Sequence, residues 1–354
     1  MKLVKIVTQH CRRSQVCCCN IRQRGVHNSA QNLYRYDGRN APINYPEKSL
    51  YVKKHLYDAK THKEYADAMS FLKAKRRKGI GVFLENIKMI SDVMKQGQTP
   101  SHIFYVKDAV LEKLPTLHES TKTVQITDKQ MARLTEVTTP QGIMAVFDRP
   151  AYIPPSRVDT IPLIIYLDQV GNPGNLGTII RSAAGAACSS VITSPNSADA
   201  WLPATLRASA AANYLIPLHE RLGFNEVLET LPPDWNICLV ESTSENSPKK
   251  HPNSLPYYEA DFTQPTVMVF GQEAGGLSAG IRDLAVKRGI HNIIHTYIPT
   301  IPELDSLNVS MAATVLIYEM AKQQSKLVKR GRLWYCRVSV NGPWRFIARY
   351  YRAC

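Results

Sequence analysis

The chain has 354 residues, 44 % of them hydrophobic, which is enough for two domains each able to bury a core. Its formal charge of +15 favours a polyanionic partner, and no apolar run approaches membrane-spanning length, so no membrane span is expected. The eight cysteines include Cys17, Cys18 and Cys19 in succession and form no C-x-x-C, which argues against a disulfide framework or a zinc site and fits a reducing compartment.

The distribution of charge says more than its sum. Residues 1–36 carry seven Lys/Arg and no acid; residues 37–150 carry nineteen against thirteen. Residues 151–326 reverse the balance, eleven against sixteen, and 327–354 return to seven against none. A basic domain beside a mildly acidic one predicts divided labour, with the first gripping a polyanion. The acid-free start, with Lys2, Lys5, Arg12, Arg13, Arg22 and Arg24, predicts an organelle transit peptide over 1–45. Its alternative is a disordered basic arm that touches RNA directly.

Residues 37–62 are polar and irregular. A helix is expected over 63–78, ending in Lys73, Lys75, Arg76, Arg77 and Lys78 before Gly79. Basic residues answer a helix C-terminus, but five in six positions exceed that need, so this run is the candidate phosphate grip. Apolar runs at 81–85, 102–106, 123–126 and 142–147 alternate with helical spacing at 86–96 and 128–134, predicting a small α/β unit over 63–148. Thr139-Pro-Gln-Gly142 is a turn signal, and Pro150, Pro154, Pro155 and Pro162 mark a linker over 149–162.

The next domain opens on 163–168, an unalternating apolar run and hence a strand buried on both faces. Further strands are expected at 190–193, 235–241, 266–270 and 293–298. Helices are expected near 177–187, 204–211, 224–231 and 278–288, with 243–262 as loop. This alternation predicts a parallel sheet covered on both sides, with ligands at the carboxyl ends of its strands. A last helix is read from Val309, Ala312, Ala313, Leu316, Ile317 and Met320, which share one face, with Asn308 at the N-cap position. The basic, aromatic tail 326–354 is expected to form at most a lone hairpin around Asn341-Gly342.

Three loops carry the chemistry. The first, Asn172-Pro-Gly-Asn-Leu-Gly177, leads towards Arg181; its glycine spacing is not that of a dinucleotide site, and no acid follows the next strand, which disfavours NAD. Arg181 is expected one turn into a helix, able to reach a phosphate; the alternative is a surface salt bridge. The second loop, Phe270-Gly-Gln-Glu-Ala-Gly-Gly-Leu-Ser278, offers backbone groups at its glycines and one carboxylate, Glu273. A proline-rich third loop from Ile298 delivers Ser306 and Asn308 to a helix N-terminus, which suits a polar ligand or a phosphate.

In order and spacing, these three stretches resemble the three motifs of the SpoU/TrmH-type RNA ribose 2′-O-methyltransferases of the SPOUT superfamily. Residues 63–148, notably Phe83-Leu-Glu85 and 139–146, resemble that family's N-terminal, L30e-like RNA-binding module. The resemblance implies an α/β-knot catalytic domain, a parallel sheet threaded into a trefoil, over 163–325. It implies S-adenosylmethionine held by Phe270, Gly271, Gln272, Gly276, Ile298, Pro299 and Leu307. Catalysis falls to Arg181, with Asn172, Glu273, Ser306 and Asn308 around it, and no metal is implied. It further implies a homodimer acting on large-subunit rRNA, with a guanosine as target, and the transit-like start places it in the mitochondrial matrix. A non-catalytic rRNA-binding assembly factor, or a tRNA 2′-O-methyltransferase, are the alternatives. Glu303 stands where the family usually has glycine, Gln272 replaces a commoner asparagine, and Asn86 replaces a glycine.

Overall fold

The computed structural model describes residues 56–57, 62–150, 160–232, 234–241, 251–272, 275–278, 280–281, 283–284, 292–301, 303–304, 306–329, 334–340 and 346–352. The transit-like stretch 1–45 lies outside them. The first sheet contains β1 (Leu56–Tyr57), β2 (Gly81–Leu84), β3 (His102–Tyr105), β4 (Lys122–Gln125) and β5 (Ile143–Asp148), in the order β1-β4-β3-β5-β2. It is mixed: β1-β4 and β3-β4 are parallel, whereas β5 runs antiparallel to both β2 and β3. Its helices are α1 (His62–Lys78), α2 (Ile87–Lys95), α3 (Asp108–Leu111) and α4 (Asp128–Leu134). Asn86 caps α2 by accepting from Met89 N–H, so the asparagine that departs from the family glycine has a local structural use. Thr127 and Gln130 form a capping box on α4.

The second sheet is wholly parallel. Its strands are β6 (Ile161–Leu167), β7 (Cys188–Thr193), β8 (Leu218–His219), β9 (Asn236–Glu241), β10 (Leu255–Pro256), β11 (Thr266–Phe270) and β12 (Ile293–Tyr297). They lie in the order β10-β12-β9-β11-β6-β7-β8, so β9 sits between β11 and β12. The helices are α5 (Pro173–Gly185), α6 (Pro203–Ser209), α7 (Phe224–Thr230) and α8 (Val309–Lys329), with a 3-10 turn at Ala212–Tyr214. In 326–354, β13 (Trp334–Val340) and β14 (Phe346–Arg352) pair as an antiparallel ribbon outside both sheets, with β13 lying close to β6.

Alternation along the strands divides the core into three. Val82 and Leu84 of β2, Ile143 and Ala145 of β5, and Leu163 and Ile165 of β6 belong to one continuous apolar cluster. The opposite face of the first sheet packs privately through Phe83, Phe104, Val124, Met144 and Val146. That of the second does so through Ile164, Tyr166, Val267 and Val269. Where the sequence predicts two separate cores, one face of each sheet is therefore buried in a core they share. Every strand residue from Leu163 to Leu167 is buried, as the unalternating run requires.

Two ion-paired contacts join the sheets. Arg149, read as the start of a linker, instead donates to Asp199 Oδ2 at 3.1 Å and to Glu220 Oε2, whose carboxylate also accepts from Trp201 Nε1 at 3.0 Å. Arg207 of α6 lies 3.7 Å from Glu85 and 3.8 Å from Glu136, both from the first sheet's side.

Candidate active site

The three loops leave β6, β11 and β12 at the carboxyl end of the parallel sheet. Pairing sets Leu167 opposite Phe270, so the first and second loops start side by side; the third leaves β12, two strands from β11, where Tyr297 pairs with Glu241 of the intervening β9. Four hydrogen bonds then tie the loops and the helices that follow them. The buried Asp168 accepts from Ser278 N–H at 2.7 Å, and its own N–H donates to Phe270 C=O at 2.8 Å, joining first loop to second. Asn308 Nδ2 donates to Asn175 Oδ1 at 3.1 Å, joining third loop to first across 133 residues of chain. Ser182 and Thr314 hydroxyls meet at 2.8 Å between α5 and α8.

The helix after the first loop begins earlier than its spacing predicts. Asn172 caps it, accepting from Gly174 N–H at 2.8 Å and Asn175 N–H at 3.2 Å, and Pro173 takes the first helical position. Proline fits there because its missing N–H would be unpaired anyway. Glycines usually weaken a helix, but Gly177 is required by packing: a Cβ there would lie 2.3 Å from Thr205 C=O and 2.7 Å from Ala208 Cβ. Backbone of α6 thus touches α5 directly. Arg181 consequently sits about two turns into α5, not one. It is exposed, and among the described residues no carboxylate pairs with it.

The second loop closes on itself. Gln272 and Gly276 exchange backbone hydrogen bonds of 3.1 and 2.9 Å, and Gly276 adopts φ +62°, a left-handed conformation suited to glycine. A Cβ on Gly271 would fall 2.2 Å from the Gly276 carbonyl. The crossing therefore leaves no room for a side chain, and the loop can offer a ligand backbone groups. Phe270 is fully buried and anchors the loop from the core. Glu273 lies outside the described residues. In the third loop Ile298 and Leu307 are half-buried while Pro299, Glu303 and Ser306 are exposed. Asn308 Oδ1 accepts from Ser310 N–H at 2.9 Å and from the Ser310 hydroxyl at 2.6 Å, fixing the start of α8 as its position predicts. The face of Val309, Ala313, Leu316, Ile317 and Met320 is buried, with Ala312 half-buried beside it.

The structure does not treat the five basic residues of α1 alike. Lys73 and Lys78 are exposed, but Lys75 pairs with Asp148 and lies over the Phe71 ring at 5.4 Å. The side chains of Arg76 and Arg77 lie outside the described residues. Asp168 and Asn175 were missed as site residues. Asp168 was visible only as a carboxylate ending an apolar strand, and Asn175 as the second asparagine of the first loop. Burial pushes the Cys188 and Cys238 thiols well above their ordinary range, which keeps them inert. Among the described residues no cluster has the makings of a metal site, and no helix is long and apolar enough to cross a membrane.

Known proteins share this architecture. An rRNA methyltransferase from Sinorhizobium meliloti, solved with AdoMet bound, superposes with a TM-score of 0.60 at 21 % identity, over 75 % of this chain and 98 % of that one. The two chains thus share one α/β fold built on a parallel sheet. Residues 162–318 match the SpoU rRNA methylase family model, and residues 68–145 match that of the MRM3-like substrate-binding domain. The human mitochondrial rRNA methyltransferase 3 is 30 % identical over 304 residues, 73 % of this chain and 72 % of the relative. The 23S rRNA (guanosine(2553)-2′-O)-methyltransferase of Bacillus subtilis is 26 % identical over 249 residues, 70 % of this chain and 91 % of that one. The chain belongs to the SpoU rRNA methylase family.

Proposed function

We propose that this protein transfers a methyl group from S-adenosylmethionine to a ribose 2′-hydroxyl of large-subunit mitochondrial rRNA, on a guanosine, in support of ribosome assembly. The observation that carries the reading is the bonded set of three loops together with Arg181, on the helix that leaves the first of them, exposed and paired with no carboxylate among the described residues. An arginine that the fold leaves without a carboxylate is available to an anion from outside.

The second and third loops fit the cofactor. Gly271 and Gly276 keep side chains out of the crossing, so Gln272, Gly276, Pro299 and Leu307 would hold it mainly through backbone groups, with Phe270 and Ile298 as the apolar base. When bound, the cofactor supplies a methyl already activated on a sulfonium. The protein's share is then to position the hydroxyl and to stabilise the negative charge that develops on its oxygen. Arg181 does both through its fork of N–H donors and remains protonated, because guanidinium is hard to deprotonate. Asn172 and Asn308 hold the two helix starts beside it, and Ser306 and Glu273 complete the set. The exposed Lys73 and Lys78, with Arg76 and Arg77 on the same helix and Lys75 once released from Asp148, grip the RNA backbone.

Three further features support the wider reading. The strand order with β9 between β11 and β12, and the return of α8 onto α5, support a trefoil threading. Met311, Val315 and Tyr318 form an exposed apolar stripe on α8, which supports a homodimer burying it. The acid-free start and the printed names of the mitochondrial relatives support the mitochondrial matrix as its location. Glu303, exposed in the third loop, favours the non-catalytic assembly factor as the second reading. Calorimetric titration of the purified protein with S-adenosylmethionine separates the two. Saturable one-to-one binding is expected; RNA binding without any cofactor binding would select the assembly factor.

A further inference from the structure

The carboxyl end of the parallel sheet continues past the first loop to the ends of β7 and β8. Two residues there adopt a backbone that residues with a Cβ avoid. Gln169, shortly after β6, and Arg221, shortly after β8, both have φ of +59°. The end of β7 lies between them and bonds to both. Ser194 Oγ accepts from Gln169 N–H at 2.8 Å, and Thr193 Oγ1 accepts from Arg221 N–H at 3.3 Å. Both hydroxyl residues are buried. Leu222 N–H then donates to Thr193 C=O at 2.9 Å, fixing the chain just beyond Arg221. Left-handed outliers that the surroundings fix in this way mark places where backbone strain has a use.

The distribution of charge singles out Arg221 of the two. Residues 160–241 hold three arginines, Arg181, Arg207 and Arg221, and no lysine. Arg207 lies within ion-pair reach of Glu85 and Glu136. Arg181 and Arg221 are exposed, and neither pairs with a carboxylate among the described residues. The carboxylates nearest Arg221 in sequence have other partners. Glu220 accepts from Arg149, from Trp201 Nε1 at 3.0 Å and from Ala200 N–H at 3.2 Å. Glu226 accepts from Gly223 N–H at 2.7 Å. The Arg221 fork is thus left for an anion from outside, as the Arg181 fork is.

Its place suits the substrate strand. Glu220, the residue before Arg221, grips Arg149, where the chain leaves the substrate-binding domain. On the other side only β7 separates β8 from β6, so the first loop starts roughly 10 Å away. Ligands of open parallel sheets bind at this end of the strands. We propose that Arg221 binds a backbone phosphate of the substrate RNA there, as a positioning residue between the substrate-binding domain and the first loop. A guanidinium meets two phosphate oxygens with parallel N–H donors and reads no base, so the contact sets the path of the strand without choosing its sequence. This inference rests on the chain being an RNA methyltransferase and adds a contact on the catalytic domain to the grip of α1.

The test measures filter binding of large-subunit mitochondrial rRNA to the full chain across a salt series. Arg221→Asn removes the charge and tolerates the left-handed backbone. Its affinity at low salt should fall about threefold, the scale of one exposed ion pair, and its slope of log affinity against log salt should become shallower by about 1. Arg221→Lys keeps the charge and should keep the slope. Should Arg221→Asn unfold, Arg221→Gly, which takes that backbone freely, should show the same shallower slope. A parental slope in the folded neutral variant overturns the proposal, whether or not the melting temperature falls, as does a parent protein that binds no rRNA. Methyl transfer by the same samples keeps the two readings apart. A parent that methylates rRNA beside an Arg221→Asn variant of unchanged slope defeats this contact alone. A shallower slope without any methyl transfer leaves the contact standing and defeats the methyltransferase reading.

Discussion

Arg149 and Arg181 occupy contrasting regions of one molecule. At the junction of the sheets, Arg149 is about one-fifth exposed and holds two carboxylates, Asp199 and Glu220. At the motif loops, Arg181 is exposed and pairs with no carboxylate among the described residues. Arg149 has its counter-charge built into the fold, whereas Arg181, in the proposed function, is left for a charge that arrives with the substrate. Burial and partners therefore separate them together.

Substitutions at the two positions should fail in opposite ways. Arg181→Ala should lower methyl transfer by on the order of a hundredfold or more, with the melting temperature and cofactor affinity unchanged. Turnover within a few-fold of the parent would remove Arg181 from the chemistry. Arg149→Met should instead cost about 2–3 kcal/mol in denaturant unfolding, because it strands two partly buried carboxylates. A loss below about 0.5 kcal/mol would mean the junction is held by its shared apolar core alone.

A pH dependence is expected away from the junction, on the first sheet's private face. His102, stacked 4.0 Å from the Phe71 ring, is held down to about pH 4 by burial and then by Lys122 and Lys75. Its unfolded value is 6.5, so the unfolded chain binds the proton more readily. Stability from the neutral ring is therefore complete above pH 6.5 and drains as pH falls towards 4. The melting temperature should drop over that window, and His102→Phe should flatten the drop; an unchanged slope would assign it to other groups.

Smaller effects are expected where the loops are tied. Asn308→Ala removes the cap of α8 and the bond to Asn175, and should cost about 1 kcal/mol in stability together with part of the activity. If melting temperature and turnover both hold, the tie between the first and third loops is incidental. Smallest of all, deleting 327–354 should leave folding and cofactor affinity unaltered. A tenfold loss of RNA affinity, about 1.4 kcal/mol, with a shallower salt dependence would make the ribbon part of the RNA site.

Much of this was legible in the sequence because apolar periodicity survives in it. The buried strand at β6, the face of α8 and the limits of α4 and β11 all follow from spacing. The start of α5 was not legible. Gly174 and Gly177 read as loop until α6 is seen to need a residue without a Cβ. Likewise α6 is expected to run through Ala211, yet Ala210 and Ala211 adopt φ of +51° and +61°. Alanine resists that conformation; here the Ala210 and Ala211 N–H groups donate back to the Arg207 and Leu206 carbonyls at 3.2 and 3.0 Å, closing the end of α6. Two-residue strands such as β8 and β10 are too short to leave a pattern. The site was legible as motif residues, whereas Asp168–Ser278, Asn175–Asn308 and the Arg149 clamp join positions far apart in the chain, which periodicity cannot report.

The central claim is methylation of a ribose hydroxyl in RNA. It is tested most directly by incubating the purified protein with methyl-labelled S-adenosylmethionine and large-subunit mitochondrial rRNA, then digesting the RNA with alkali. A 2′-O-methyl group removes the hydroxyl that attacks the neighbouring phosphate, so the label should emerge in an alkali-resistant dinucleotide, and only with Arg181 intact. Label released in mononucleotides would place the methyl on a base, and no incorporation into RNA by a protein that binds the cofactor would contradict the account.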